Sequence, residues 1–270
     1  MQIQPVVFSA PKEGYAPTEW EDGAGHVCLG GAPGLDPQTA RFAVADGATE
    51  TYESRLWVCQ LIASFLSSDH RGDGAWPDIE RASMTAWFKS MQDTWRSAAA
   101  APADYIEEMK IRQGTLATWV GGQIVGLDTP TPVWQAVALG DSVLFHVRGG
   151  RLVEHFPRFR STDFDSAPDG VSTLPERLGR MSEQMRFKHG QLAAGDTIFA
   201  ATDAFAKWMI SCEEQGDETL WPLLCGPLPP SVFSQLVTEQ RRAMAMKDDD
   251  VTLMRIRLLS EPANTVVVYL

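Results

Sequence analysis

The sequence is short of several things, and each shortage closes off a class of function. No apolar run approaches the roughly 18 residues a membrane-spanning helix needs. The first residues, MQIQPVVFSAPKEGY, lack the basic start, long apolar stretch and small-residue cleavage site of a secretory leader. The four cysteines, Cys28, Cys59, Cys212 and Cys225, form no C-x-x-C pair, so thiolate zinc ligation has no basis. Cys59, inside an apolar helical run, is expected in the core, and a reducing cytoplasm is the expected compartment. Positive charge is scarce: 23 Lys and Arg face 35 Asp and Glu, a net charge of −12 over 270 residues. That balance excludes a general nucleic-acid binder and a protein that docks on anionic lipid. The histidines, His26, His70, His146, His155 and His189, stand beside no G-x-S-x-G elbow, so a Ser- or Cys-based hydrolase fares poorly.

What is present is an alternation of strand and helix segments. Short β-prone runs at 6–8, 26–29 and 41–45 lead into an apolar helix over 52–66 and a second over 76–100. In the second, Met84, Trp87, Phe88, Met91 and Trp95 recur at helical spacing and predict a buried stripe. Runs at 116–125, 133–139, 143–147 and 152–156 read as an antiparallel meander. Residues 157–183 are polar and irregular, the composition of a functional loop. A strand at 197–201, helices at 204–213 and 230–246, and strands at 251–258 and 265–269 complete the chain. No repeat or linker divides it, so one domain over 1–270 is expected, an α+β layered sandwich.

Acidic residues mark the places where strands stop. Asp46 ends Phe42-Ala43-Val44-Ala45, Asp203 follows Ile198-Phe199-Ala200-Ala201-Thr202, and Asp248-Asp249-Asp250 precedes Val251-Thr252-Leu253. Glu21-Asp22 lies just ahead of the strand around Val27. Carboxylates gathered at sheet edges repel one another unless a cation neutralises them. Oxygen donors without His or Cys favour Mg²⁺ or Mn²⁺ over zinc.

These motifs, taken in order, resemble the metal-dependent type 2C serine/threonine protein phosphatases. The resemblance runs from residue 5 to about 258. It rests on Glu21-Asp22, Val44-Ala45-Asp46-Gly47-Ala48, Gly114-Thr115, Ala138-Leu139-Gly140-Asp141-Ser142, Ala201-Thr202-Asp203 and Asp249-Asp250-Val251-Thr252. It implies a four-layer sandwich, two antiparallel β-sheets flanked by helix pairs. It implies two Mn²⁺ or Mg²⁺ ions and a phosphomonoester hydrolysed without a phosphoenzyme. Asp46 would bridge the ions and Gly47 would offer its carbonyl. Glu21 would serve one ion, with Asp22 holding a water of its shell, while Asp203 and Asp249 would serve the other. The implied partners are a phosphoprotein substrate and an opposing serine/threonine kinase, with a monomeric chain and residues 157–183 as a flap beside the site.

The chain departs from the family pattern at three places. Pro17 replaces a phosphate-holding arginine, leaving Lys12 as the nearest upstream cation. Ala204 replaces the glycine after Asp203. Lys207 replaces an acidic residue of a third, weaker metal site whose other member is Asp141; its ammonium would stand in for the missing ion or face solvent. These departures leave a second reading open, a non-catalytic phosphatase-like module that binds a kinase or phosphoprotein.

Overall fold

The computed structural model describes residues 1–15, 19–29, 38–48, 51–67, 79–98, 105–164 and 168–260. Pro17, the expected start of the second helix and the expected strand at 265–269 lie outside these residues. In chain order the elements are β1 (Gln2–Ala10), β2 (Asp22–Leu29), β3 (Thr39–Gly47), α1 (Ser54–Leu66), α2 (Arg81–Ala98) and α3 (Tyr105–Gln113). There follow β4 (Leu116–Val125), β5 (Val133–Leu139), β6 (Val143–Arg148), β7 (Arg151–Phe156), β8 (Val171–Ser172), α4 (Leu178–Gln184), β9 (Arg186–Gln191) and β10 (Thr197–Ala201). The remainder is α5 (Asp203–Glu214), α6 (Leu220–Cys225), α7 (Pro230–Arg242) and β11 (Val251–Leu259).

Two antiparallel sheets result, one in the order β1-β11-β10-β6-β7, the other β2-β3-β4-β5-β9 with β8 on the edge of β4. Both faces of each sheet are covered, which is why the strands read as near-continuous apolar runs. Successive residues divide between layers with the two-residue period of a strand. Phe42 and Val44 of β3 meet Ile198 and Ala200 of β10 between the sheets. Ala43 and Ala45 face α1 and α2, and Phe199 and Ala201 face α5, α6 and α7. The architecture is the expected four-layer α+β sandwich. No helix among the described residues is long and apolar enough to cross a membrane.

Two local features set the cleft end of the second sheet. In β2, a Cβ on Gly23 would come within 2.6 Å of Val58, and one on Gly25 within 2.7 Å of Leu66. The absence of side chains there lets α1 lie directly on the strand that begins with Asp22. At the β5–β6 turn, Gly140 has φ +101°, and a Cβ would stand 2.6 Å from the Asp169 carbonyl, so only glycine fits.

The stretch 157–183 is not the irregular loop its composition predicts. It carries β8, short 3₁₀ turns at Ser161–Asp163 and Pro175–Arg177, and the start of α4. It is tied down by Trp57 Nε1 donating to the Val171 carbonyl at 2.8 Å. Gln92 Nε2 donates to the carbonyls of Ser172 and Leu174, each at 2.9 Å. Cys59, expected in the core, is exposed on the outer side of α1. His146 is a buried structural group whose Nε2 lies 2.9 Å from Asp196 Oδ2.

Candidate metal and phosphate site

The carboxylates at the strand ends gather at one cleft of about 760 Å³, lined by Asp46, Gly47, Asp141, Asp203 and Asp249. Asp46 and Asp22 are directly opposed in the β2–β3 ladder. Asp46 also faces Thr118 across β4, and the Thr118 hydroxyl bonds to that of Ser142, beside Asp141, at 2.7 Å. Burial pushes the Asp46 carboxyl well above the ordinary carboxylate range, and the charges of Asp22, Asp203, Asp141 and Asp249 push it further.

Asp22 is only 6% exposed. Its Oδ2 accepts the Thr202 hydroxyl at 2.9 Å, and Thr202 Oγ1 in turn accepts the Thr252 amide at 3.0 Å. A chain of hydrogen bonds thus runs from one sheet to the other beneath the cleft. Burial raises the Asp22 pKa well above its usual value; the Thr202 and Thr252 side chains oppose the rise, while Asp250 and Asp203 add to it. Among the described residues, Asp22 Oδ1 is buried without a hydrogen-bond partner.

The three consecutive aspartates before β11 have separate tasks. Asp248 Oδ1 accepts the Glu13 amide at 3.0 Å. Asp250 accepts the amides of Lys12 and Glu21, each at 2.9 Å. Only Asp249 among the three lines the cleft. Asp203 opens α5, its Oδ1 2.6 Å from the Ala204 amide. Ala204 lies in the first turn of α5 and has no positive φ, so the helix needs no glycine after Asp203.

Asp22, beneath the cleft, is not among its lining residues, and neither are Glu21, whose carbonyl accepts the Gly47 amide at 3.2 Å, and Lys207. The Glu21 carboxylate accepts the Ser54 hydroxyl at the start of α1. Lys207 is exposed on α5, outside the cleft lining, because the buried sides of that helix are taken by Ala204, Phe205, Ala206, Trp208, Met209 and Ile210. The cation at Asp203 is instead Lys247, whose Nζ lies 3.5 Å from Asp203 Oδ2 and 2.5 Å from Asp249 Oδ2. Partial burial lowers the Lys247 pKa, but its hydrogen bond to Asp249 and the Asp203 and Asp249 charges outweigh this and hold it above the ordinary lysine value. Nothing in the sequence flagged Lys247, which is 40 residues from Lys207 and reaches the cleft only through the α7–β11 turn.

Lys12 lines the cleft, together with Arg177 and Arg180 from the 157–183 stretch. Both arginines are exposed, and Arg180 is engaged with Asp169 at 2.8 Å.

In kind, the donors fit a hard divalent ion: they are oxygens throughout, crowded enough to repel, with the buried Oδ1 of Asp22 unmatched among the described residues. Among the described residues, no three Asp, Glu, His or Cys side chains are close enough to hold an ion as they stand.

No protein-family pattern and no curated protein sequence matches the chain. Solved structures do. The serine/threonine phosphatase PstP/Ppp of Mycobacterium tuberculosis aligns with a TM-score of 0.58 at 14% identity, over 95% of this chain and 99% of that one. A PstP catalytic domain in complex with two manganese ions aligns at 0.57 and 15% identity, over 96% and 99%. The serine/threonine phosphatase Stp1 of Staphylococcus aureus aligns at 0.59 and 12% identity, over 96% of each chain. Across nearly its whole length, then, the chain has the fold of the serine/threonine phosphatases, the group its ordered motifs resemble.

Proposed function

We propose that the chain is a phosphoserine/phosphothreonine protein phosphatase that needs Mn²⁺ or Mg²⁺. The observation that carries this reading is the convergence of Asp46, Asp141, Asp203 and Asp249 on a single cleft that also presents Lys12 and Arg177. Asp46 and the Gly47 carbonyl would hold ions at the floor, Asp203 and Asp249 would hold one at the α5 side, and Glu21 would take part after releasing Ser54. When bound, such ions supply an activated water and the positive charge that a transferring phosphoryl group requires.

The chain's own residues do the rest. Asp22, fixed by Thr202 and paired with Asp46 across β2 and β3, would accept a proton or a hydrogen bond from a bound water behind Asp46. Lys12 and Arg177 attract the substrate's phosphate dianion to a molecule whose overall charge would repel it. The 157–183 wall, fixed by Trp57 and Gln92, limits which peptide backbone enters. In this reading the partners are a phosphoprotein and the kinase that modifies it, and the chain works as a cytoplasmic monomer of one domain. Asp141 would be one side of a third, weaker ion position.

One observation favours the second reading, a non-catalytic phosphoprotein-binding module: Lys247 already satisfies Asp203 and Asp249 without an ion. A phosphothreonine peptide incubated with the protein separates the two. Phosphate release that requires Mn²⁺ or Mg²⁺ and stops on chelation is the expected result. Turnover indifferent to exhaustive chelation refutes the metal assignment, and tight peptide binding without turnover at saturating Mn²⁺ selects the binding module.

A further inference from the structure

The segment between α7 and β11 holds Lys247 in a particular way. Before it, the Ala245 and Met246 amides donate to the Gln240 carbonyl at 3.0 and 3.2 Å, and after it three aspartates are tied down. Asp248 takes the Glu13 amide and Asp250 takes the amides of Lys12 and Glu21. The Arg241 guanidinium donates to the Asp249 carbonyl. The chain can move little here, while the lysine side chain is 56% exposed and reaches inward from solvent to carboxylates that are 15% and 20% exposed. Those are the two carboxylates the metal-dependent reading assigns to one ion. A compact ammonium on a flexible four-carbon stem can neutralise such a pair and can also leave it.

We infer that Lys247 is a tethered counter-cation, which holds the Asp203–Asp249 end of the cleft together in the metal-free protein and competes with a divalent ion for that position. The inference rests on the metal-dependent reading and adds an order to it. The Asp46 end, where no lysine or arginine is paired with the carboxylate among the described residues, takes an ion first. The Asp203–Asp249 end takes one second and more weakly, because the lysine must swing out. Its displacement leaves Lys247 at the rim of the same cleft, beside the space a substrate phosphate enters.

Calorimetric titration of Mn²⁺ into wild type, Lys247→Met and Lys247→Arg tests this, with melting curves in chelator alongside. Methionine keeps much of the stem and removes the charge; arginine keeps the charge. Wild type should show two classes of site. In Lys247→Met the weaker class should tighten by roughly three- to tenfold, the scale of a partly exposed ion pair, while the tighter class is unchanged. The metal-free melting temperature of Lys247→Met should fall and its rise on adding Mn²⁺ should exceed that of wild type. Lys247→Arg should keep the weak class weak. Equal affinities in wild type and Lys247→Met overturn the inference and leave the metal reading standing. So does a Lys247→Arg protein that binds as tightly as Lys247→Met, since shape and not charge would then matter. No heat and no melting shift with Mn²⁺ in any of the three proteins overturns the metal reading itself.

Discussion

The carboxyls of Asp46 and Asp22 lie opposite one another on paired strands, and both are held up the pH scale by burial first and by other carboxylates second. A carboxyl raised in this way binds its proton more firmly in the folded chain than in the unfolded one. Its stabilising contribution is complete below about pH 4, the ordinary carboxylate value, and is lost as pH rises through the displaced values. In chelator, the unfolding free energy of Asp46→Asn should therefore match wild type most closely near pH 4 and exceed it increasingly toward pH 7. Urea unfolding at a series of pH values measures this, and a difference independent of pH would show that Asp46 carries no electrostatic load. The same substitution should lower kcat with saturating Mn²⁺ by about two orders of magnitude or more, because it weakens the one side chain to which the proposed function gives both ions. Near-normal turnover would reduce Asp46 to a strand-end residue.

At the scale of elements, β2 and α1 form the most exacting contact near the site. Gly23 follows Asp22 directly, and its place for a Cβ is 2.6 Å from Val58 and 2.7 Å from Ile62. Gly23→Val should destabilise the protein by about 1–3 kcal/mol through overpacking, read as a lower urea midpoint, and should weaken Mn²⁺ binding because Asp22 shifts with its strand. Full stability in Gly23→Val would mean that α1 slides freely over the sheet. The elements that carry the site were legible beforehand because apolar strands ended at Asp46 and Asp203 and another began just after Asp249. Others were not, for identifiable reasons. The sequence of β9, Arg186–Gln191, is mostly polar because it is a sheet edge that sends only Phe187 against the core. The apolar residues Tyr105, Ile106 and Met109 of α3 are exposed, so they trace no buried stripe. Pro222 argues against a helix at 220–225, yet it falls in the first turn of α6, where its missing N–H costs nothing. Within the site, Lys247 and Arg177 were missed because position alone decides their roles, and position comes from turns that no spacing rule reads.

Over the whole molecule, the two sheets meet across Phe42, Val44, Ile198 and Ala200, an apolar contact without direction of its own. The Asp22–Thr202–Thr252 chain is different, since it fastens β2 of one sheet to β11 of the other through a threonine hydroxyl. The Thr202 hydroxyl sits at the N-terminus of α5 but makes no capping bond there; it is spent on this cross-link. The Thr252 amide is consequently a buried clock set by the cleft. Its exchange with deuterium requires the hydroxyl to let go, and the hydroxyl is held by the carboxyl next to Asp46. Ions that draw Asp46 and Asp203 together should slow that single amide more than the amides of β6, whose partners are ordinary ladder carbonyls. Hydrogen exchange followed residue by residue, with and without Mn²⁺, would record it. Equal slowing of both strands would mean that the ion stiffens the sandwich as a whole, with no privileged thread between its halves.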